Sequence, residues 1–423
     1  MADSDLPHAR PLSIGRLARA RLSPFVALCG VGFLGRLGYE MMRTPLTPLL
    51  AKHLGAPEDC IGLIVAAVTI TGIFVKLPAG ALSDILGRRR LMLTGVWVQI
   101  SGPFLYMLVF FWPLLLIVRF YHGLATALYA PAAAAEIAKT YPQERGRRLG
   151  LYNGAETAGA VLGPVLGGVV LTLTAYNYDI TAIVAGLIGV LALLVLRHLP
   201  RDQAPPAPQR ATTPSGLVQL SRILHTTACG MKEILSNSRI LFVSLVEAML
   251  WMGIGSVQAY LPLYALTIHL SAWQIGMIAG AQGVASVWSR PVMGKWSDRV
   301  SSRTPFIVIG AGLCICILIA LPHATCFGLL LGLNTIFGLG TGLVTPSTTA
   351  LIGDLVKKGN YGSAMGVFGS LWDIGHASGP ILFGFLVVGL GYKLSWLIMA
   401  LIMTATLIVF LFGSRHPFAA RRP

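Results

Sequence analysis

The sequence predicts an all-α membrane protein whose twelve transmembrane helices form two pseudo-symmetric six-helix bundles. Three observations lead to this fold class. Of the 423 residues, 55% are hydrophobic and only 11% are charged, whereas soluble proteins carry roughly 25% charged residues. The apolar runs reach about 20 residues, which is long enough for a helix to cross a bilayer. Motifs of the first half also return in the second half, in the same order.

The apolar runs define the membrane segments one by one. They show no alternation of the kind that spanning β-strands require, so each run is predicted to be a helix. Numbered 1 to 12 in chain order, the segments cover 24–51, 58–82, 91–111, 113–138, 147–174, 178–197, 239–268, 273–297, 305–322, 325–353, 362–388 and 393–413. No short apolar core with a cleavage site follows the basic first 23 residues, so segment 1 is predicted to be an uncleaved anchor.

The basic residues predict how the chain is oriented. Of the 32 Lys and Arg residues, 25 fall at the two termini and in alternate connections, whereas the remaining connections hold only Lys52 and Lys393. Basic connections stay on the cytoplasmic side of a membrane. We therefore expect a multi-pass protein of the cell (inner) membrane with both termini cytoplasmic. Because these charges follow one membrane face, they do not indicate nucleic-acid binding.

An internal repeat divides the chain into halves. The stretch PAGALSDILGRRRL at 78–91 resembles VMGKWSDRVSSRTP at 292–305, and Gly163-Pro164 of segment 5 returns as Gly379-Pro380 in segment 11. Internal repeats of this kind are typical of secondary transporters. The predicted domains are a cytoplasmic N-terminal segment, a six-helix bundle, a cytoplasmic linker with an amphipathic helix, a second six-helix bundle and a cytoplasmic tail, at 1–23, 24–198, 199–238, 239–413 and 414–423.

With these motifs the chain resembles the major facilitator superfamily over essentially its whole length, and more narrowly the drug:proton antiporter branch. The resemblance implies the fold of that family and a latch that holds the cytoplasmic side closed, with an acid of segment 2 at the start of segment 11. The gating residues that it implies are Gly80, Asp84, Gly87, Arg88, Arg89, Gly294, Asp298 and Arg299. It also implies a kinked, close contact between the halves, and the implied packing residues are Gly150, Gly159, Gly163, Pro164, Gly167, Gly168, Gly375, Gly379 and Pro380.

Charged residues enter the predicted helices in an every-third pattern. Segments 3, 9 and 12 have none in their interiors, and segment 6 has only Asp179 at its outer edge. A charge that faces lipid at the bilayer centre costs at least ~2.5–3.5 kcal/mol. The third helix of each triplet is therefore predicted to face lipid, while the other helices line water. Lys76 and Arg290, near the ends of segments 2 and 8, are predicted to be interfacial or latch groups.

Buried carboxyl groups are the candidates for proton coupling. Burial favours the neutral form of a lone carboxyl group, which can then load and lose a proton near pH 7. The predicted proton-coupling residues are Asp373, Glu40, Glu156 and Glu247, with Arg119, which resembles the arginine that the family couples to proton movement. The predicted substrate-binding residues, some of which could serve helix packing instead, are Arg36, Tyr39, Glu40, Arg43, Arg119, Tyr152, Asn153, Glu156, Trp251, Gln258, Asn334, Trp372, Asp373 and His376.

The predicted function is secondary active transport, with no catalytic, cofactor or metal site. We expect a monomer in the lipid bilayer that exports a small drug or metabolite in exchange for protons, by alternating access. Nearly balanced cavity charges favour an amphiphilic or zwitterionic substrate. One alternative is a symporter or uniporter that imports a small metabolite, and another is a transporter-like assembly factor or sensor. No catalytic triad or phosphate-binding loop stands out, so an enzyme is not predicted.

Overall fold

The computed structural model describes residues 23–198, 237–300, 302–356 and 361–414, apart from the side chains of 77–86, 295, 297, 298, 361–363 and 414. Within these residues the chain is helical, with no β-strand. The helices are α1 (Pro24–His53), α2 (Glu58–Leu86), α3 (Arg88–Tyr106), α4 (Trp112–Thr140), α5 (Arg145–Leu173), α6 (Tyr178–Leu196), α7 (Ser238–Thr267), α8 (Ala272–Arg299), α9 (Thr304–Ala320) and α10 (Phe327–Leu355). The last element, Tyr361–Ser414, is broken at Gly391 (φ 69°, ψ 175°); α11 is 361–390 and α12 is 392–414.

The predicted twelve-helix fold class is confirmed. In the described part of the chain, nine spans are long and apolar enough to cross a membrane. One of them, Ala364–Gly413, is 50 residues long and holds both α11 and α12, and the less apolar α3 and α8 complete the twelve. The predicted termini, the linker and its amphipathic helix lie outside the described residues, except at their edges.

Individual boundaries differ from the prediction by a few residues. Segment 3 was predicted at 91–111, but α3 begins at Arg88 and ends at Tyr106. It begins early because Gly87, with a φ of 89°, ends α2 in a conformation that glycine adopts without steric cost. The apolar residues after Tyr106 form a turn, in which Phe110 is 80% exposed. Hydropathy alone does not separate such an apolar turn from a helix.

The bundle has two ends, which we name by their charge. The basic face is the end where α1 begins, and it carries Arg88, Arg147 and Arg303. The opposite face carries the turns 54–57, 107–111, 174–177 and 268–271.

Glycines pack two helices tightly within each half. A Cβ on Gly163 of α5 would overlap the side chain of Glu40 in α1, and a Cβ on Gly379 of α11 would overlap the backbone of Met252 in α7. Small residues allow this close approach of backbones. The family resemblance implied that the α5 glycines form a contact between halves. Gly159, Gly163 and Gly167 instead face α1 of their own half, whereas a Cβ on Gly168 would overlap the carbonyl oxygen of Ala272 in α8 of the other half. Residue spacing defines a common helix face and leaves its partner open.

The two halves meet near the opposite face through two equivalent contacts. A Cβ on Gly276 of α8 would overlap the carbonyl oxygen of Pro164 in α5, and a Cβ on Gly62 of α2 would overlap that of Pro380 in α11. The two contacts are related by the same internal repeat that the sequence contains. Tyr260 adds a bond between the halves, donating its hydroxyl to the carbonyl oxygen of Glu58 at 2.6 Å. The opposite face is therefore closed.

At the basic face the same helices stand apart. Gly150 of α5, Gly294 of α8 and Gly366 of α11 have no described atom within 4 Å of the position that a Cβ would occupy. The structure therefore holds a cavity between the halves that opens towards the basic face.

Candidate functional site

The cavity between the halves has a volume of about 360 Å³. Its wall is built by α1, α2, α4 and α5 of the first half and by α7, α8, α10 and α11 of the second. Among the described residues, none of α3, α6, α9 or α12 contributes to this wall. This division agrees with the uncharged interiors of segments 3, 9 and 12 and the single outer-edge charge of segment 6, although segment 10 also lacks a charge and lines the wall as α10. It leaves ionisable side chains facing the cavity rather than lipid, as their cost in hydrocarbon requires.

Three charged residues of α1 form one cluster on the wall. A carboxylate oxygen of Glu40 accepts from Arg36 at 3.0 Å and from Arg43 at 3.4 Å. Their i, i+4 and i+3 spacing places them on one helix face. Glu40 and Arg43 are largely buried, whereas the side chain of Arg36 is 32% exposed. The side of this cluster that remains accessible is therefore cationic.

His376 of α11 joins the two halves at this cluster. An Nη2 of Arg43 lies 2.9 Å from the His376 Nε2, and the Thr69 hydroxyl of α2 lies 3.1 Å from its Nδ1. A guanidinium can only donate, so the ring of His376 meets a donor in Arg43, while the Thr69 hydroxyl can donate or accept. The Gln258 amide of α7 is 3.0 Å from Nε2. One histidine thus contacts three helices.

A second bond between the halves lies one helical turn away on α11. The Lys76 ammonium of α2 is 2.7 Å from a carboxylate oxygen of Asp373. The sequence predicted a lone Asp373 and an interfacial or latch role for Lys76, whereas the structure pairs the two on the cavity wall. The difference arises because the lysine chain is long enough to bring its ammonium away from its own Cα and into the cavity.

Two tryptophans form an aromatic surface beside these pairs. The Trp251 and Trp372 rings stack with centroids 5.6 Å apart and planes 16° apart, and both line the cavity. Behind them lies Glu247, which is fully buried. Its carboxylate accepts from the Trp251 indole at 3.0 Å and from the Thr348 hydroxyl at 2.7 Å. Glu247 therefore holds the wall from behind and does not touch the cavity.

Other predicted site residues also lie off the wall. Tyr152 donates its hydroxyl to Glu156 at 3.0 Å, and both face Gly32 of α1. The neighbouring Asn153 is exposed but does not line the cavity. Tyr152 and Glu156 lie between α5 and α1, whereas Asn153 lies one helical turn from the cavity-lining Thr157, on the same face of α5.

Arg119 and Asn334 are buried within separate helix contacts. Arg119 is 1% exposed and donates to the carbonyl oxygens of Ile64 and Val65 at 3.2 and 3.0 Å. A third contact of 3.4 Å reaches the Tyr106 hydroxyl. Asn334 is fully buried and donates to the Leu330 carbonyl at 3.0 Å. Neither side chain contacts the cavity.

The structure therefore brings together only part of the predicted substrate site. The predicted residues on the wall are Arg36, Tyr39, Glu40, Arg43, Trp251, Gln258, Trp372, Asp373 and His376. The predicted residues off the wall are Arg119, Tyr152, Asn153, Glu156 and Asn334. Two cations that were interpreted as interfacial or latch groups, Lys76 and Arg290, do line it. Their equivalent positions in the repeat, 214 residues apart, were the signal for a shared role.

The predicted gating residues lie at the basic face. The side chains of Asp84 and Asp298 and the surroundings of Gly80 are outside what the structure describes. Arg88 pairs with Glu136 at 3.4 Å and joins α3 to α4, while Arg299 is exposed at the end of α8. No contact of the described gating side chains crosses between the halves, which agrees with the open basic face.

Comparison with known proteins agrees with this architecture. A family model described as Major Facilitator Superfamily matches residues 28–285 and 243–423. An uncharacterized MFS-type transporter of Methanocaldococcus jannaschii is 26% identical over 88% of this chain and 92% of its own. The multi-drug resistance efflux pump PmrA of Streptococcus pneumoniae is 25% identical over 80% and 82%. A crystal structure of a bacterial homolog of the human lysosomal transporter Spinster superposes with a TM-score of 0.76 at 14% identity, over 94% of this chain and 98% of that one.

Proposed function

The chain belongs to the major facilitator superfamily, and from that membership we propose that it is a proton-coupled antiporter that exports a small molecule by alternating access. In the proposed orientation the chain lies in the cell (inner) membrane with both termini and the basic face in the cytoplasm. The cavity then opens to the side from which an exporter loads its substrate. The efflux function named for PmrA supports the export direction.

The ion pair between Lys76 and Asp373 is the observation that carries the proposal. It joins α2 of one half to α11 of the other at 2.7 Å, on the cavity wall. A proton on Asp373 would remove the charge that attracts the ammonium. The protonation state of one side chain would therefore control a bond between the two bodies that must move during transport.

In the proposed cycle this bond forms in one half of the cycle and breaks in the other. With the cavity open to the basic face, Asp373 releases its proton, pairs with Lys76, and the substrate enters. With the cavity open to the opposite face, the substrate leaves and a proton returns to Asp373. Proton and substrate then move in opposite directions, because each is carried in the half of the cycle in which the other is absent.

The test is transport in proteoliposomes with an imposed pH gradient. A metabolite comparison between a strain lacking the protein and a complemented strain identifies the compound to load. An antiporter accumulates that compound in the acidic compartment, and a symporter accumulates it in the alkaline one. Asp373→Asn should retain exchange of labelled for unlabelled compound but lose its response to the gradient.

Asp179→Asn is the matched control, because Asp179 is an exposed acid in the first turn of α6 and lies away from the cavity. It should behave as the wild type, and protein-free liposomes correct for passive diffusion. Accumulation in the alkaline compartment would overturn antiport. A wild-type gradient response of Asp373→Asn would overturn the role of Asp373.

A further inference from the structure

The cavity wall carries an excess of positive charge. Its cations are Arg36, Arg43, Lys76 and Arg290, and in the described part of the chain its carboxylates are only Glu40 and Asp373. From this charge and the adjacent tryptophans we propose that the substrate is an organic anion with a flat aromatic or apolar body. This inference rests on the proposed transport function and names the substrate class for the same cavity.

Both wall carboxylates are already engaged by cations. Glu40 serves Arg36 and Arg43 together, and Asp373 is held by Lys76. Arg290 has no carboxylate within ion-pair distance among the described residues, and its side chain reaches only the Ser286 hydroxyl at 3.4 Å. A guanidinium can form two parallel hydrogen bonds with a carboxylate or phosphate. Arg290 therefore offers an incoming anion a charged partner that no wall residue neutralises.

The charges behind the wall do not cancel its positive excess. Glu156 acts electrostatically on Arg36, and Glu247 on Arg290, but each carboxylate is held by neutral donors. Arg119 adds one more buried cation. With all of these residues included, five cations still face four carboxylates. A cationic substrate would have to approach this surface against its charge.

The aromatic surface supplies the other part of the site. Trp251 and Trp372 lie nearly parallel, on the same wall as the charged groups. Flat rings stack on such surfaces in offset or edge-on arrangements worth about 0.5–1.5 kcal/mol beyond simple burial. A volume of about 360 Å³ falls within the range of roughly 300–1,000 Å³ of small-molecule sites. The wall therefore fits a molecule with one apolar ring system and one anionic group.

The sequence predicted an amphiphilic or zwitterionic substrate, and we keep the first alternative and replace the second for a specific reason. The sequence-based charge balance counted Glu156, Glu247 and Arg119 as cavity groups and left out Lys76 and Arg290. The structure places the first three off the wall and the other two on it. The balance of the wall therefore moves from near neutral to cationic.

Binding to the purified protein in detergent tests this proposal independently of proton coupling. The probes share one ring and differ in charge: naphthalene-2-carboxylate, its neutral amide and 2-naphthylmethylamine, measured by equilibrium dialysis. We expect the carboxylate to bind at least ~10-fold more tightly than either analogue, a difference of about 1.4 kcal/mol. Arg290→Gln should weaken carboxylate binding about tenfold and leave amide binding within about twofold.

Two further variants complete the design. Arg290→Lys keeps the charge and should retain most of the preference, while Lys393→Gln removes an exposed cation on the opposite face and should change nothing. Retained amide binding shows that each variant is folded. The proposal is overturned if the amine or amide binds as tightly as the carboxylate, if the carboxylate does not bind, or if Arg290→Gln keeps the preference. Because no gradient is involved, failure of proton antiport would leave these results unaffected.

Discussion

We expect the buried Glu247 to serve structure rather than transport. It is fully buried, and its two oxygens accept from Trp251 and Thr348. Thr348 also lies 3.1 Å from the Val344 carbonyl and can donate to it. A glutamine at 247 could therefore accept from the indole and donate to the threonine oxygen, so the geometry tolerates the loss of charge.

We expect Glu247→Gln to keep both the thermal midpoint and the response of transport to a pH gradient. Glu247→Ala should lower the stability by on the order of 2–3 kcal/mol, because it leaves a cavity and an unpaired indole N–H. Thermal unfolding in detergent measures the stability of both variants, and proteoliposome transport measures the response to the pH gradient. A glutamine variant that folds but no longer responds to the gradient would assign the proton to Glu247 instead of Asp373.

At the same scale, the sequence predicts the depth of a side chain better than its direction. Glu156 and Asp373 were predicted near the midplane, but only Asp373 faces the cavity. Successive residues of a helix point about 100° apart. A side chain one position away from a wall residue can therefore face a neighbouring helix instead of the cavity. Lys76 was predicted to be an interfacial or latch group, and its place on the cavity wall was missed because its flexible chain can reach a partner that its Cα position does not indicate.

At the scale of the element, glycines decide where helices can touch. A Cβ at Gly379 would overlap the Met252 backbone, whereas one at Gly366 on the same helix would meet open space. Two identical substitutions on α11 therefore have opposite surroundings, and each serves as the control for the other.

We expect Gly379→Ala to destabilise the protein by about 1–3 kcal/mol through overpacking. Gly366→Ala should be neutral or stabilising, because alanine is favoured over glycine in a helix by up to about 1 kcal/mol. Thermal midpoints and the monodisperse fraction after extraction measure the difference. Equal stability of the two variants would contradict the close contact between α7 and α11.

The helices themselves were the most predictable elements, because their length and hydropathy are set by the bilayer. The twelve spans agree with the sequence to within a few residues, and the largest differences lie at chain reversals such as the turn after Tyr106. The packing partner of the Gly159–Gly163–Gly167 face was not predictable. Spacing identifies a face that can approach another backbone, but the choice of α1 depends on the arrangement of the whole bundle.

At the scale of the molecule, contacts and openings are divided between the two ends. The halves are bonded near the opposite face, where the Trp273 backbone donates to the Thr172 hydroxyl at 2.9 Å, and are separated at the basic face. Alternating access requires the contacts near the opposite face to break. A bond that prevents this should stop transport without closing the cavity.

We expect cysteines at 172 and 273, in a background without the native cysteines, to form a disulfide under mild oxidation. The cross-linked protein should lose transport and regain it on reduction, while still binding naphthalene-2-carboxylate from the basic face. Each single-cysteine variant is the control and should be insensitive to oxidation. Full transport by the cross-linked protein would rule out rocking of the two halves.

The reversal at Gly391 ties the cavity to its surroundings. A single non-helical residue separates α11 from α12, so no flexible loop lies between the two helices. α12 carries outward-facing Leu401 and Phe412, exposed by 57% and 61%. When α11 tilts as its bond to Lys76 forms or breaks, α12 moves with it. These apolar side chains then move through the acyl chains of the lipid. The thickness and fluidity of the host membrane are therefore expected to set part of the turnover rate.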